Sequence, residues 1–244
     1  MVEVGSSRLL FDLGTGTIRR LLEAGVTISD ITHVFLSHLH PDHTGEFVSF
    51  LFATKYPEVY PRRDPFFVAG GRGVRWFYRT LKKVYGSWIV LDPGMMNMIE
   101  FDGGKEDMRA FDDFAVHTLP LAHIDSSVGF RVVYEGISVV YTGDTDMCEN
   151  LVSLARNADL LICEAAMPDE RKVAGHLTPS LAGDVAARAK VNHLVLTHFY
   201  PDCDGVDIAA ECRKTYNGPL TLARDLMRIE VTRSCVAIKE ADTV

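Results

Sequence analysis

Five cysteines in 244 residues, an odd number with no C-x-x-C spacing, suit free thiols in a reducing compartment better than a disulfide framework. Cys163, inside an apolar run, reads as a core residue. No apolar stretch approaches 18 residues, and the opening Met1-Val2-Glu3-Val4-Gly5 has neither the basic start nor the apolar run of a secretory signal. Neither a membrane span nor a leader is therefore expected, and the reading is cytoplasmic. There is no surplus of positive charge either. A formal net charge of -8 argues against a protein that coats long nucleic acid, a mode that depends on excess Lys and Arg. Internal repeats, low-complexity blocks and linkers are also missing, so residues 1–244 are expected to form one domain, with the 47% hydrophobic composition of an ordinary soluble protein.

What is present is concentrated. His38-Leu39-His40-Pro41-Asp42-His43 puts four metal-capable side chains into six residues, between the apolar run Val34-Phe35-Leu36 and a helix-like segment from Thr44 to about Lys55. Two imidazoles at i and i+2 leaving a strand end point the same way and can reach one cation, while Asp42 and His43 can reach a second. A polar turn has no packing use for such density. Two adjacent metals are the expected product.

The remaining texture is α/β. Strands are predicted at Arg8–Phe11, Val34–Leu36, Phe66–Ala69, Trp88–Leu91, Asn97–Phe101, Phe114–Leu119, Val128–Tyr134, Ile137–Tyr141, Leu160–Cys163, His193–Thr197 and Leu226–Val231. Glu135-Gly136 is a two-residue hairpin signal. Helices are predicted at Thr17–Ala24, stopped by Gly25, and then at 72–85, Glu149–Arg156, Leu181–Ala189 and Val206–Tyr216. Thr178-Pro179 reads as an N-cap with proline at the first helical position. Pro57–Pro65 reads as a surface excursion, and Ser234–Val244 is a tail with no assignment. Helix-strand texture around a β-rich middle predicts two sheets face to face with helices outside. From Arg62 to Lys83 seven basic residues face one acid, Asp64. Arg72, Arg75, Arg79 and Lys82 fall opposite an apolar stripe of Val74, Phe77, Leu81 and Tyr85, which reads first as a solvated outer face and secondly as a phosphate-attracting rim.

A dinuclear centre needs ligands beyond one loop, and three more candidates end apolar runs. His123 follows Leu119-Pro120-Leu121-Ala122, Asp144 follows Val139-Val140-Tyr141-Thr142-Gly143, and His198 follows Leu194-Val195-Leu196-Thr197. Strand ends are where open α/β sheets collect functional groups.

In that order, His38-x-His40-x-Asp42-His43, His123, Thr142-Gly143-Asp144 and Thr197-His198 resemble the metallo-β-lactamase superfamily over nearly the whole chain. The resemblance implies an αββα sandwich with His38, His40 and His123 on one metal, Asp42, His43 and His198 on the other, and Asp144 bridging. Zinc suits imidazole and carboxylate best, with manganese or iron as alternatives. Cys163-Glu164-Ala165, Gly175-His176-Leu177-Thr178 and Leu196-Thr197-His198-Phe199 resemble the ribonuclease Z-like branch, whose members cleave phosphodiesters. The branch implies His176 as proton donor to the leaving group and Glu164 as the carboxylate that orients it, with Asp42 also counted among the catalytic groups. Asp12 matches the family's aspartate beneath the His loop, against the alternative of simple turn formation.

Two departures matter. Transfer-RNA-processing members carry a long arm between the third histidine and the bridging aspartate, whereas here only twenty residues separate His123 from Asp144. The spacing resembles armless relatives that act on small cyclic ribose phosphates. The family also usually opens one strand earlier, so either the native start lies upstream or a bare sheet edge is covered by a partner subunit, in a homodimer. The leading expectation is a dinuclear phosphodiesterase for small or nucleotide-sized diesters, in which a metal-held hydroxide attacks and His176 protonates the departing oxygen, with Arg62, Arg63 or the helix from Arg72 steering the anion. The alternatives are a hydrolase of carbonyl or sulfate esters, such as a lactonase, β-lactamase-like amidase or arylsulfatase, and a non-catalytic metal-binding or truncated protein.

Overall fold

Val34, Phe35 and Leu36 are all fully buried, as a strand with parallel neighbours on both sides requires. The structure, a computed structural model, describes residues 1–57, 62–233 and 235–239. It divides into two compact units, residues 1–102 and 103–244.

In the first unit, β1 (Val2–Val4), β2 (Ser7–Phe11), β3 (His33–Leu36), β4 (Phe66–Gly70) and β5 (Met96–Glu100) form one sheet in that order. All neighbours are parallel except β1 and β2, which pair as a short antiparallel ribbon. The edge of β2 that the sequence reading left bare is thus lined by Val2–Val4. Helix α1 (Thr17–Glu23) enters from Gly16, which takes a left-handed φ of 90°, and ends before Gly25, at φ 76°. The segment expected as one helix from Thr44 is two: α2 (Pro41–Thr44) is a single turn carrying Asp42 and His43, and α3 (Phe47–Lys55) starts afresh after Gly45-Glu46. Gly45 permits the break, since a Cβ there would lie 2.7 Å from the Pro41 carbonyl oxygen. Helix α4 (Val74–Tyr85) begins after Gly73 at φ 96° and lays Val74, Phe77, Tyr78 and Leu81 against a core that includes Phe47, Phe50 and Phe66. Tyr85, expected on that apolar stripe, is exposed. The strand expected at Trp88–Leu91 is instead a 3-10 turn, Gly86–Ile89, in which only Ile89 is buried. Part of the expected excursion at Pro57–Pro65 lies outside the described residues.

The second unit holds a seven-stranded sheet in the order β6 (Asp107–Ala110), β7 (Ala115–Pro120), β8 (Val128–Tyr134), β9 (Ile137–Tyr141), β10 (Leu160–Glu164), β11 (Leu194–Thr197), β12 (Leu220–Leu222). From β6 to β9 the strands form an antiparallel meander; from β9 to β12 they are parallel. The β8–β9 turn is the two residues Glu135 and Gly136, at φ 48° and 80°, the left-handed pair a tight hairpin needs. Helices α5 (Glu149–Leu154), α6 (Pro179–Ala189) and α7 (Ile208–Cys212) contribute to a core with Leu161, Cys163, Val185 and Leu196. Thr178 occupies the N-cap position of α6 without a side-chain cap. Asp169 does that work, accepting from the Ser180 N–H at 3.2 Å and the Ser180 hydroxyl at 2.8 Å. Within the stretch left unassigned as a tail, β14 (Val236–Lys239) pairs antiparallel with β13 (Arg228–Val231); Ser234 and 240–244 lie outside the described residues.

Candidate functional site

In the first unit the His-rich loop leaves β3, and His43 and Ser37 are tied to Asp12 at the end of β2. Asp12 is buried and left-handed at φ 62°, with its backbone N–H on the Phe35 carbonyl at 2.8 Å. Its Oδ1 accepts from the Ser37 N–H at 2.7 Å, and its Oδ2 accepts from the Ser37 hydroxyl and lies 2.8 Å from His43 Nδ1. A carboxylate at Nδ1 fixes the proton there and leaves Nε2 as the donor atom. Because the Ser37 hydroxyl spends its proton on Asp12, its oxygen accepts from His38 Nδ1 at 3.1 Å, which sets the same tautomer on His38. His38 and His40 each offer a ligand atom within 4.8 Å of the other, as do Asp42 and His43. Asp12 therefore holds Ser37 and His43 in place as well as turning the chain. Gly14, in a turn that reads as glycine-rich, and Glu46, which the sequence reading passed over, complete this half. Gly14 lies so close to Asp42 that a Cβ would meet its carbonyl oxygen at 2.0 Å, and Glu46 accepts from the Gly16 and Ile18 N–H groups at 2.8 and 2.7 Å.

In the second unit Asp144, Glu164 and His198 sit at or just past the carboxyl ends of the parallel strands β9, β10 and β11. Asp144 Oδ2 lies 3.4 Å from His198 Nε2, 3.9 Å from His176 Nδ1 and 4.0 Å from His123 Nε2. Two ligands of a tetrahedral zinc are separated by about 3.4 Å, given bonds of about 2.1 Å. The His198–Asp144 spacing fits a shared cation, and the donor set of buried carboxylate and imidazole suits one chemically. His123 Nδ1 is 2.8 Å from the Gly175 carbonyl oxygen, which can only accept, so His123 carries its proton on Nδ1 and presents Nε2. His198 reaches its place with a left-handed φ of 63°, a strained setting for a residue with a side chain.

His176 differs from the others. Its Nδ1 is 3.1 Å from Glu164 Oε1, and Glu164 is almost wholly buried while accepting the N–H groups of Thr145, Ala166 and Leu177 at 2.7, 3.2 and 3.1 Å. Burial pushes the Glu164 carboxyl up, whereas the hydrogen bond to Glu164 pushes the His176 imidazole up. Three amide donors favour the carboxylate, so the shared proton belongs on His176. With Nδ1 on Glu164, His176 is placed to hold a proton, and with His123 and Asp144 it also forms a group spaced to hold a cation.

The other histidines are placed elsewhere. His33 bonds Thr32 and stacks on Phe67, His193 meets the Thr221 hydroxyl at 2.8 Å, and His117 lies on β7. Arg62, expected to steer an anion, is buried, donates to the carbonyls of Ile28 and Ile31 and lies over the Phe66 ring; burial lowers its pKa to about 10. It is an internal brace. Among the described residues no helix is long and apolar enough to cross a membrane.

Parallel strands ending in histidines and carboxylates, with tautomers set for Nε2 coordination, define a metal-dependent α/β hydrolase. The chain belongs to the metallo-β-lactamase superfamily, whose sequence model matches residues 1–176. It is 26% identical to ribonuclease Z of Methanothermobacter thermautotrophicus over 91% of this chain and 87% of that protein. Human short-form tRNase Z is similar in structure, with a TM-score of 0.75 and 26% identity over 95% of this chain and 91% of that one. The metallo-β-lactamase fold protein YhfI from Bacillus subtilis shares the fold at a TM-score of 0.76 and 22% identity, covering 91% and 87%. The chain is thus a ribonuclease Z homologue.

Proposed function

We propose that this hydrolase is a dinuclear phosphodiesterase acting on small or nucleotide-sized diesters. The ligands would be His38, His40 and His123 for one cation and Asp42, His43 and His198 for the other, with Asp144 shared. Zinc fits the donor set, with manganese or iron as alternatives. Divalent cations held there supply Lewis acidity toward the phosphoryl oxygens and toward water.

The observation that carries the reading is the His176–Glu164 pair. An alkoxide is a poor leaving group and must be protonated as it departs, which calls for an imidazolium held in one orientation. Glu164 provides this. Its four hydrogen-bonding contacts hold its oxygens in place, its charge stabilises protonated His176, and its grip on Nδ1 leaves Nε2–H as the proton to give. Similarity to ribonuclease Z supports phosphodiester chemistry, and the span between His123 and Asp144 is filled by the β8–β9 hairpin with its two-residue turn, which supports a substrate gripped without a long arm.

The test is turnover of bis-p-nitrophenyl phosphate, p-nitrophenyl sulfate, a lactone and a chromogenic β-lactam by the zinc- or manganese-loaded protein. Diester cleavage lost in both His176→Ala and Asp144→Ala is expected. Lactone, lactam or sulfate turnover that survives His176→Ala would replace the phosphodiesterase with a carbonyl or sulfate hydrolase.

A further inference from the structure

Asp146, two residues beyond Asp144, has no place in the ligand set or in the proton donor, yet it ties together the segments that carry both. Its N–H donates to the Ala122 carbonyl at 2.8 Å in an isolated antiparallel bridge, which fixes the residue immediately before His123. Its Oδ2 accepts from the Gly175 N–H at 3.0 Å and from Lys172 Nζ at 2.8 Å, and its Oδ1 accepts from the Met147 N–H at 2.8 Å. Gly175 is held on its amide side by Asp146, and on its carbonyl side it receives the His123 Nδ1 proton. It does so at φ 86°, and a Cβ on it would stand 3.0 Å from that same nitrogen.

We propose that Asp146 is a positioning residue for His123: by pinning Gly175 it aims the carbonyl that holds His123 in the Nδ1-protonated form, leaving Nε2 to bind metal. This rests on the reading of His123 as a metal ligand. Groups one step behind a metal ligand set its tautomer and ring orientation, and their loss weakens metal binding by roughly 10- to 100-fold. The Lys172 ion pair is about 30% exposed on both sides, so it contributes little to global stability and its ammonium is secondary to the Gly175 contact. Gly175 also immediately precedes His176, so one carboxylate sets the approach of a ligand and of the proton donor.

The experiment measures zinc binding by competition with a chromophoric chelator, and thermal unfolding of the metal-stripped protein, for the wild-type chain, Asp146→Ala, Asp146→Asn, Gly175→Ala, Lys172→Met and His123→Ala. Asp146→Ala and Gly175→Ala are expected to weaken one of two zinc sites by roughly 10- to 100-fold. Asp146→Asn, which keeps an acceptor for the Gly175 N–H, should recover most of that loss, and Lys172→Met should bind zinc nearly as the wild type does. A purely structural Asp146 would lower the unfolding temperature of the stripped protein and leave zinc affinity unchanged, which would overturn the proposal. If His123→Ala loses a zinc site while Asp146→Ala and Gly175→Ala do not, the positioning role alone is wrong. If His123→Ala binds zinc like the wild type, the ligand assignment falls as well.

Discussion

Asp12 shows how much one side chain decides at the smallest scale. It accepts from Ser37 twice and holds His43, so replacing it disturbs two imidazoles at once. Asp12→Asn is expected to weaken zinc binding by roughly 10- to 100-fold, read by chelator competition, because an amide oxygen is a weaker partner for the Nδ1 proton. Gly14→Ala should be more damaging than an exposed Gly→Ala, since its Cβ would overlap the Asp42 carbonyl oxygen, a backbone atom that cannot swing aside. Loss of both zinc and thermal stability in that variant is the expected outcome. The metal-capable residues were legible in the sequence because His and Asp at that density have few structural uses. Ser37, Glu46, Asp146 and the Gly175 carbonyl were not, because they act through a hydroxyl, a common carboxylate or the backbone, and nothing in a sequence marks a carbonyl as an acceptor.

Among the elements, the buried parallel strands and the β8–β9 hairpin were readable from continuous apolar runs and a two-residue turn. The edges were not. Strand β6 is short and largely exposed, and the alternation of β12 runs for only three residues, too few to identify a strand. Trp88 and Val90 suggested β structure by residue type, but both are exposed and only Ile89 packs inward, so local propensity had no burial to support it. The segment entering β11 supplies a pH prediction. Burial lowers the His193 pKa, so the unfolded chain takes up this proton before the folded one does. The folded state is therefore fully favoured above about pH 6.5 and loses stability as pH falls below that value, until the folded-state pKa is passed. His193→Gln should flatten that part of the stability curve relative to wild type in urea titrations across pH 5 to 8, taken as about the range of imidazole titration.

For the whole molecule, the family resemblance placed the chain correctly where summed propensities could not, because its ordered His and Asp residues follow strands far apart in sequence. Cations that bind only the folded chain stabilise it by about 2.7 kcal/mol each at a hundredfold excess over Kd. Stripping with a chelator should accordingly lower the calorimetric unfolding temperature, and added zinc should restore it. An unchanged midpoint would argue that the histidines and carboxylates are not metal ligands.

The hairpin between β8 and β9 has a consequence for how such a protein can change. Its tip is a two-residue turn whose Glu135 carbonyl is gripped by Arg233, and it lies between a strand run ending in His123 and one ending in Asp144 without including either. Lengthening the chain at this tip would forfeit the Arg233 contact and leave His123 and Asp144 where their strands put them. The tip stands at the far end of β8 and β9 from His123 and Asp144, so chain length can change there without moving either residue.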